Sequence, residues 1–232
     1  GGALTCKQDS LALAGSSTTP GAIFAWAGPG GFNSMLKNPV VKVSGTYTCT
    51  ATHPANGCTA SSTAIVLSDQ TPPNATVSPT SAQITCSEAS VALQAAGGNS
   101  YVWKGPGTFS FNGAQPTVNA AGAYTVTVTT TQNGCTATAS TLVLLNQNKP
   151  QVSATSGALT CAQPTFLLSG NASTSGLTYA WTGPSGYQAT GQQQTISAPG
   201  IYSLTATDPS SACTGTTTTL ISENKTPPTA DI

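Results

Sequence analysis

The chain has 232 residues with six lysines, no arginine, six carboxylates and a net charge of zero; only 5% of its residues are charged. That balance gives no electrostatic footing for nucleic acid or for an anionic membrane surface, and the longest clear apolar run, Leu142 to Leu145, falls far short of the roughly 20 residues that span a bilayer. Hydrophobic residues make up 38% of the chain and alternate with abundant Thr and Ser, so the chain reads as β-rich and ordered rather than disordered.

The chain opens on GGALTC rather than on methionine and shows no signal peptide, and an excised or mature segment is expected. Cys6 closes the first LTC. Leu11 and Leu13 then alternate on one face of a strand, as do Phe24 and Trp26. The stretch Trp26-Ala27-Gly28-Pro29-Gly30-Gly31-Phe32 has the look of a glycine-rich phosphate loop. It lacks the following helix and the Lys-Ser/Thr of such loops, and Pro29 removes a backbone donor, so a turn is expected. A strand opens at Gly45-Thr46-Tyr47, Asn56-Gly57 marks a tight hairpin turn, as Asn133-Gly134 does further on, and Cys58 precedes the last strand.

The same succession then recurs twice. Cys86 and Cys161 open repeats as Cys6 does, and Cys135 and Cys213 close them as Cys58 does, after 52, 49 and 52 residues in chain order. Trp26, Trp103 and Trp181 precede Tyr47, Tyr124 and Tyr202 by 21 residues each, and each tyrosine precedes its closing cysteine by 11. Val91 with Leu93, Phe166 with Leu168, Tyr101 with Trp103 and Tyr179 with Trp181 repeat the inward faces. In Ala123–Thr129, Tyr124, Val126 and Val128 point inward. Short strands with frequent turns and no helical segment predict an all-β fold. Three tandem β-sandwiches in an extended array are expected, at residues 1–71, 72–148 and 149–226. The first lacks the opening extended segment that 72–78 and 150–156 give the others, and 227–232 begins a further one. The joints Thr71–Pro73, Lys149–Pro150 and Thr226–Pro228 are stiffened by proline.

These features resemble the tandem immunoglobulin-like repeats of very large secreted surface proteins of Bacteroidota, including gliding-motility adhesins. The matching residues are the Trp-x-Gly-Pro turns, the Gly-x-Tyr strands, the Asn-Gly-Cys hairpins and the joint at Asp69–Pro73. The resemblance implies a cell-surface location and export by the type IX system.

Candidate sites follow from the register. The tryptophans and tyrosines fit core anchors better than sugar platforms, and Phe32, Phe109, Phe111 and Tyr187 are the better ligand candidates just past the turn. With two cysteines each in repeats two and three, bridges kept within a repeat would be Cys6–Cys58, Cys86–Cys135 and Cys161–Cys213, one per domain. Such bridges imply an oxidising compartment. Cys49, in the register of Val126 and Leu204, is read as a free, buried thiol, with a Cys6–Cys49 bridge as the rival pairing. No catalytic set emerges: His53 is the one histidine, and Asp9, Asp69, Glu88, Asp208, Glu223 and Asp231 are scattered, so no enzyme and no cofactor are expected. Asp69, Glu223 and Asp231 are weak calcium candidates, being too few for a full shell without carbonyls and water. Asn74, Asn171 and Asn224 lie in N-linked sequons, and Asp9-Ser10-Leu11 resembles the Bacteroidota O-glycosylation motif, at Ser10. The expected role is a stalk or spacer in a long extracellular adhesin or filament. The expected partners are neighbouring repeats and other copies docked head to tail. The alternative is an array of modules that bind a surface glycan or protein, and a third reading is an array accessory to a secreted enzyme.

Overall fold

The computed structural model describes residues 1–229. Among them the regular elements are strands, apart from two 3₁₀ turns at Pro29–Gly31 and Pro184–Gly186. The end of the expected strand at 227–232, and Asp231 with it, lie outside the described residues.

Each repeat builds one five-stranded sheet in the same order. In repeat one the order is Gly2–Thr5, Thr59–Asp69, Gly45–Thr52, Ile23–Gly28 and Phe32–Ser34. Repeat three repeats it with Gly157–Thr160, Thr214–Asn224, Gly200–Thr207, Thr178–Thr182 and Gln188–Thr190. The middle repeat uses Ser81–Thr85, Thr136–Asn146, Gly122–Thr129, Ser100–Lys104 and Ser110–Asn112. The opening strand lies parallel to the last one: Thr5 faces Asp69, and Thr160 faces Asn224. The remaining contacts are antiparallel, as hairpins require.

A smaller second sheet covers the other face of the core. In repeat three it comprises Val152–Ala154, Phe166–Ala172 and Gln193–Ile196. In the middle repeat Thr76–Ser78 pairs with Gln94–Ala96, and the chain crosses through a cis Ser78–Pro79 bond to the larger sheet. Repeat one retains Leu11–Ala12 against Val40–Val41. Among the described residues it has no counterpart of the Thr76–Ser78 strand.

Contacts gather the described chain into two compact units, 1–80 with 92–116 and 123–142, and 81–91 with 117–122 and 143 onward. In the first, Leu4, Leu13, Trp26, Val41, Tyr47 and Val66 form one core cluster. In the second, Leu159, Leu168, Trp181, Ile196, Tyr202, Leu204 and Ile221 form its counterpart. Period-two alternation places these residues inward, and the Thr-rich outer faces stay wet. Tyr47 donates its hydroxyl to the Val43 carbonyl at 2.7 Å, and Tyr202 donates to Ala198 at 2.8 Å. This link from an early residue of a core strand back to the chain just before it is the tyrosine corner of immunoglobulin-like sandwiches. The chain is a tandem array of them.

The closing hairpins are longer than a two-residue turn. His53 N donates to Cys58 O at 2.8 Å and Gly57 N to His53 O at 3.0 Å, so four residues lie between the paired ends. Gly57 and Gly134 take φ of 72° at the last loop position, and Ala212 takes φ of 55° at the same place in repeat three.

Candidate functional site

The Trp-x-Gly-Pro stretch is a structural turn. Its proline starts a 3₁₀ turn, and the next residues, Gly30 and Gly31, have φ of 68° and 77°. A Cβ on Gly28, Gly105 or Gly183 would come within 2.3 to 2.5 Å of the ring of Tyr47, Tyr124 or Tyr202, so this position closes on the tyrosine by lacking a side chain. The glycine that opens the tyrosine strand packs on the turn's proline: Gly45 has φ of 141°, and a Cβ there would meet Pro29 Cγ at 2.4 Å. Turn, glycine and tyrosine thus form one lock per repeat.

The aromatic residues complete that lock. Phe32, Phe109 and Tyr187 sit edge-on to Tyr47, Tyr124 and Tyr202, with centroids 5.3, 5.1 and 5.4 Å apart. Edge-to-face pairs of this kind add about 0.5–1.5 kcal/mol to simple burial. Trp26, Trp103 and Trp181 are buried, as are the three tyrosines. Trp103 and Trp181 donate to the carbonyls of Gly113 and Gly191 at 3.0 and 3.1 Å. Trp26 Nε1 is buried without a partner among the described residues. Of the four ligand candidates, Phe111 is the exposed one, at 38%.

The polar candidates are not brought together. Among the described residues no group of three or more His, Cys, Asp or Glu side chains could hold a metal ion. Asp69 accepts a hydrogen bond from Asn133 Nδ2 at 3.0 Å, and Glu223 pairs with Lys225 at 2.6 Å. His53 Nδ1 accepts from Ala55 N within its own loop. The Asp208 carboxyl is held below its ordinary range, chiefly by the Ser210 hydroxyl and then by the Ser210 amide and the Ser211 hydroxyl. That carboxylate braces the loop before Cys213. Ser10 is half-buried, and Asn74, Asn171 and Asn224 are exposed.

The cysteines depart from the expected pairing. The bonds are Cys6–Cys135 and Cys86–Cys213, with Cα separations of 4.9 and 5.0 Å; Cys49, Cys58 and Cys161 are free. The pairs Cys6–Cys58, Cys86–Cys135 and Cys161–Cys213 are absent, and so is one bridge per domain. The cause is the parallel pairing. Cys6 follows Thr5, which faces Asp69 at the far end of the 11-residue strand Thr59–Asp69, whereas Cys58 sits just before its start. At about 3.3 Å per residue the two cysteines lie roughly 35 Å apart, against the ~4.4–6.8 Å that a disulfide spans. Cys6 and Cys86 instead each meet the closing loop of the following repeat.

The two joints are built alike. At the first, Lys7 N donates to Asn133 O at 3.0 Å, and Asn133 Nδ2 also donates to Thr71 O at 3.1 Å. Asn133 Oδ1 accepts from Cys135 N, so this side chain, 4% exposed, ties loop, joint and bridge together. At the second, Cys86 N donates to Ser211 O at 3.1 Å, and Gln147 Nε2 donates to Thr85 O at 3.0 Å. Ser211 is 1% exposed. Asn133 was legible only as a turn former, and Ser211 was not singled out; the signal for the second role is that a turn asparagine recurs two positions before two of the three closing cysteines.

No family model matches the sequence, and no curated protein is similar to it. Several solved structures are. The three N-terminal domains of the highly immunogenic outer capsid protein of bacteriophage RB49 share 14% identity over 94% of this chain and 95% of theirs, with a TM-score of 0.45. An I-band fragment of titin shares 16% over 96% of this chain and 94% of its own, also at 0.45. Immunoglobulin domains 1–5 of Sidekick-1 share 11% over 97% of this chain and 58% of theirs, at 0.35. The fold assignment rests on the strand order and the tyrosine corner.

Proposed function

We propose that the chain is a structural repeat segment of a long extracellular adhesin or filament, acting as a stalk or spacer. The observation that carries this reading is that each bridge joins one repeat to the next. A domain that only needed stability would be served by an internal bridge. A covalent link at the joint instead resists separation of neighbouring repeats, which is the demand placed on a tether. Each bridge closes a separation of 129 or 127 residues, which corresponds to about 5 kcal/mol in the chain-entropy treatment. Disulfides of this kind persist in oxidising compartments, which supports a cell-surface location. The sequence resemblance to Bacteroidota surface repeats supplies the wider setting of an exported adhesin, and catalysis forms no part of the role.

A screen of the oxidised chain against a glycan array and immobilised extracellular proteins at micromolar concentration tests the spacer reading. No saturable retention is expected. Saturable binding that Phe111→Ala abolishes would replace the spacer with a binding module.

A further inference from the structure

The bridge pattern leaves two half-sites. Cys58 heads the last strand of its repeat as Cys135 and Cys213 do, and Cys161 follows Leu-Thr as Cys6 does. At both bonded joints the closing loop is covered, with Cys135 and Cys213 at 1% and 0% exposure. Cys58 and Cys161 are exposed and free. The positions are thus equivalent to ones that bond twice in this same chain.

Repeat one also differs from the other two beside its last strand. In repeats two and three the side of the sandwich beside the last strand is covered by chain arriving from the preceding joint. Thr141 donates to Pro79 O at 2.7 Å, and Thr219 donates to Thr155 O at 2.9 Å. In repeat one that position is Ala64, and this side carries a groove of about 310 Å³ lined by Ala14, Ser16, Trp26, Cys49, Ala51 and Ala64. Cys49 is half-buried there, whereas Val126 and Leu204 in its register are wholly buried.

We infer that Cys58 and Cys161 are the two halves of the inter-repeat bridge, and that their partner is another repeat of this kind: Cys161 of one copy bonds Cys58 of a second copy. The inference rests on the repeat-array reading. The chemistry requires a low-molecular-weight disulfide as oxidant. The Cys161 thiolate attacks one sulfur of oxidised glutathione, forming a mixed disulfide and releasing one glutathione thiolate. The Cys58 thiolate of the second copy then attacks the Cys161 sulfur, forming the protein disulfide and releasing the second. Two cysteine thiols are oxidised, and one glutathione disulfide is reduced to two thiols. Cys49 takes no part, because its groove restricts access and burial pushes its thiol up.

The test is oxidation of the purified chain in a glutathione redox buffer, followed by non-reducing electrophoresis and peptide mapping. The expected result is a ladder of covalent multimers containing a Cys58–Cys161 peptide. Cys58→Ser alone and Cys161→Ser alone should each lose the ladder, and a mixture of the two should stop at dimers. Ladders built equally from Cys58–Cys58, Cys161–Cys161 or Cys49 peptides, a ring closed between Cys58 and Cys161 of one copy, or monomers that end as glutathione adducts would each overturn the inference. The same digest reports the Cys6–Cys135 and Cys86–Cys213 peptides. Their absence removes the array reading itself, whereas their presence without a Cys58–Cys161 peptide removes the inference alone.

Discussion

Reduction of the two bridges should increase the length to which the chain can be pulled about threefold. The two disulfide loops interlock, since Cys86 lies inside the loop closed by Cys6–Cys135, and Cys135 lies inside the loop closed by Cys86–Cys213. Load applied at the termini passes from residue 6 to residue 135, back through the middle repeat to residue 86, across to residue 213 and on to the C-terminus. Only about a third of the chain is on that path. At roughly 3.3–3.6 Å per residue, the oxidised chain extends to about 260 Å and the reduced chain to about 800 Å. Repeats one and three are largely bypassed, and the middle repeat carries load between its own two cysteines. Single-molecule pulling with and without reductant reads the difference. Equal lengths in the two conditions would show that the bridges do not carry load. Extension alone does not separate the two pairings, because bridges kept within each repeat would also leave about a third of the chain extensible.

The second large effect concerns the middle repeat. Trp103 is fully buried and donates to Gly113 O. Trp103→Ala removes that bond and leaves a cavity, at a cost of about 3–5 kcal/mol, a large share of what a single small domain has. Hydrogen exchange should show the amides of Gly122–Thr129 losing protection by roughly 10²- to 10³-fold, with Gly200–Thr207 changed far less. A loss spread evenly over all three repeats would contradict the view that each repeat holds its own aromatic core. Trp26→Phe offers a contrast: Trp26 Nε1 has no partner among the described residues, so no bond is lost, whereas Trp103→Phe leaves the Gly113 carbonyl without its donor, costing about 1 kcal/mol more.

Much of this was legible in the sequence, because period-two alternation and fixed spacing act locally. Tyr124, Val126 and Val128 alternate inward as their pattern requires, and the tryptophans share a face with the aromatic residue two positions earlier. The bridge partners were not legible. A spacing that recurs in every repeat is satisfied equally by pairing an opening cysteine with its own closing cysteine or with the next one. The choice depends on the parallel register of Gly2–Thr5 on Thr59–Asp69, a contact between segments more than 60 residues apart, and no local pattern encodes it. Asn133 was read as a turn former for the same reason: its contacts with Thr71 and Asp69 belong to the joint. The lock between glycine, proline and tyrosine lay between these extremes. Its residues stood out by repetition, but the need for glycine at Gly28 came from the approach of the Tyr47 ring, which the spacing of 21 residues does not disclose.

The central claim is that covalent links run from repeat to repeat. Proteolysis of the oxidised, thiol-blocked chain followed by mass spectrometry of the unreduced peptides tests it most directly. The structure predicts Cys6 linked to Cys135 and Cys86 linked to Cys213, with Cys49 carrying the blocking group. Recovery of Cys6 linked to Cys58 and of Cys86 linked to Cys135 would contradict it, and would turn a covalently joined array into three separately stapled domains.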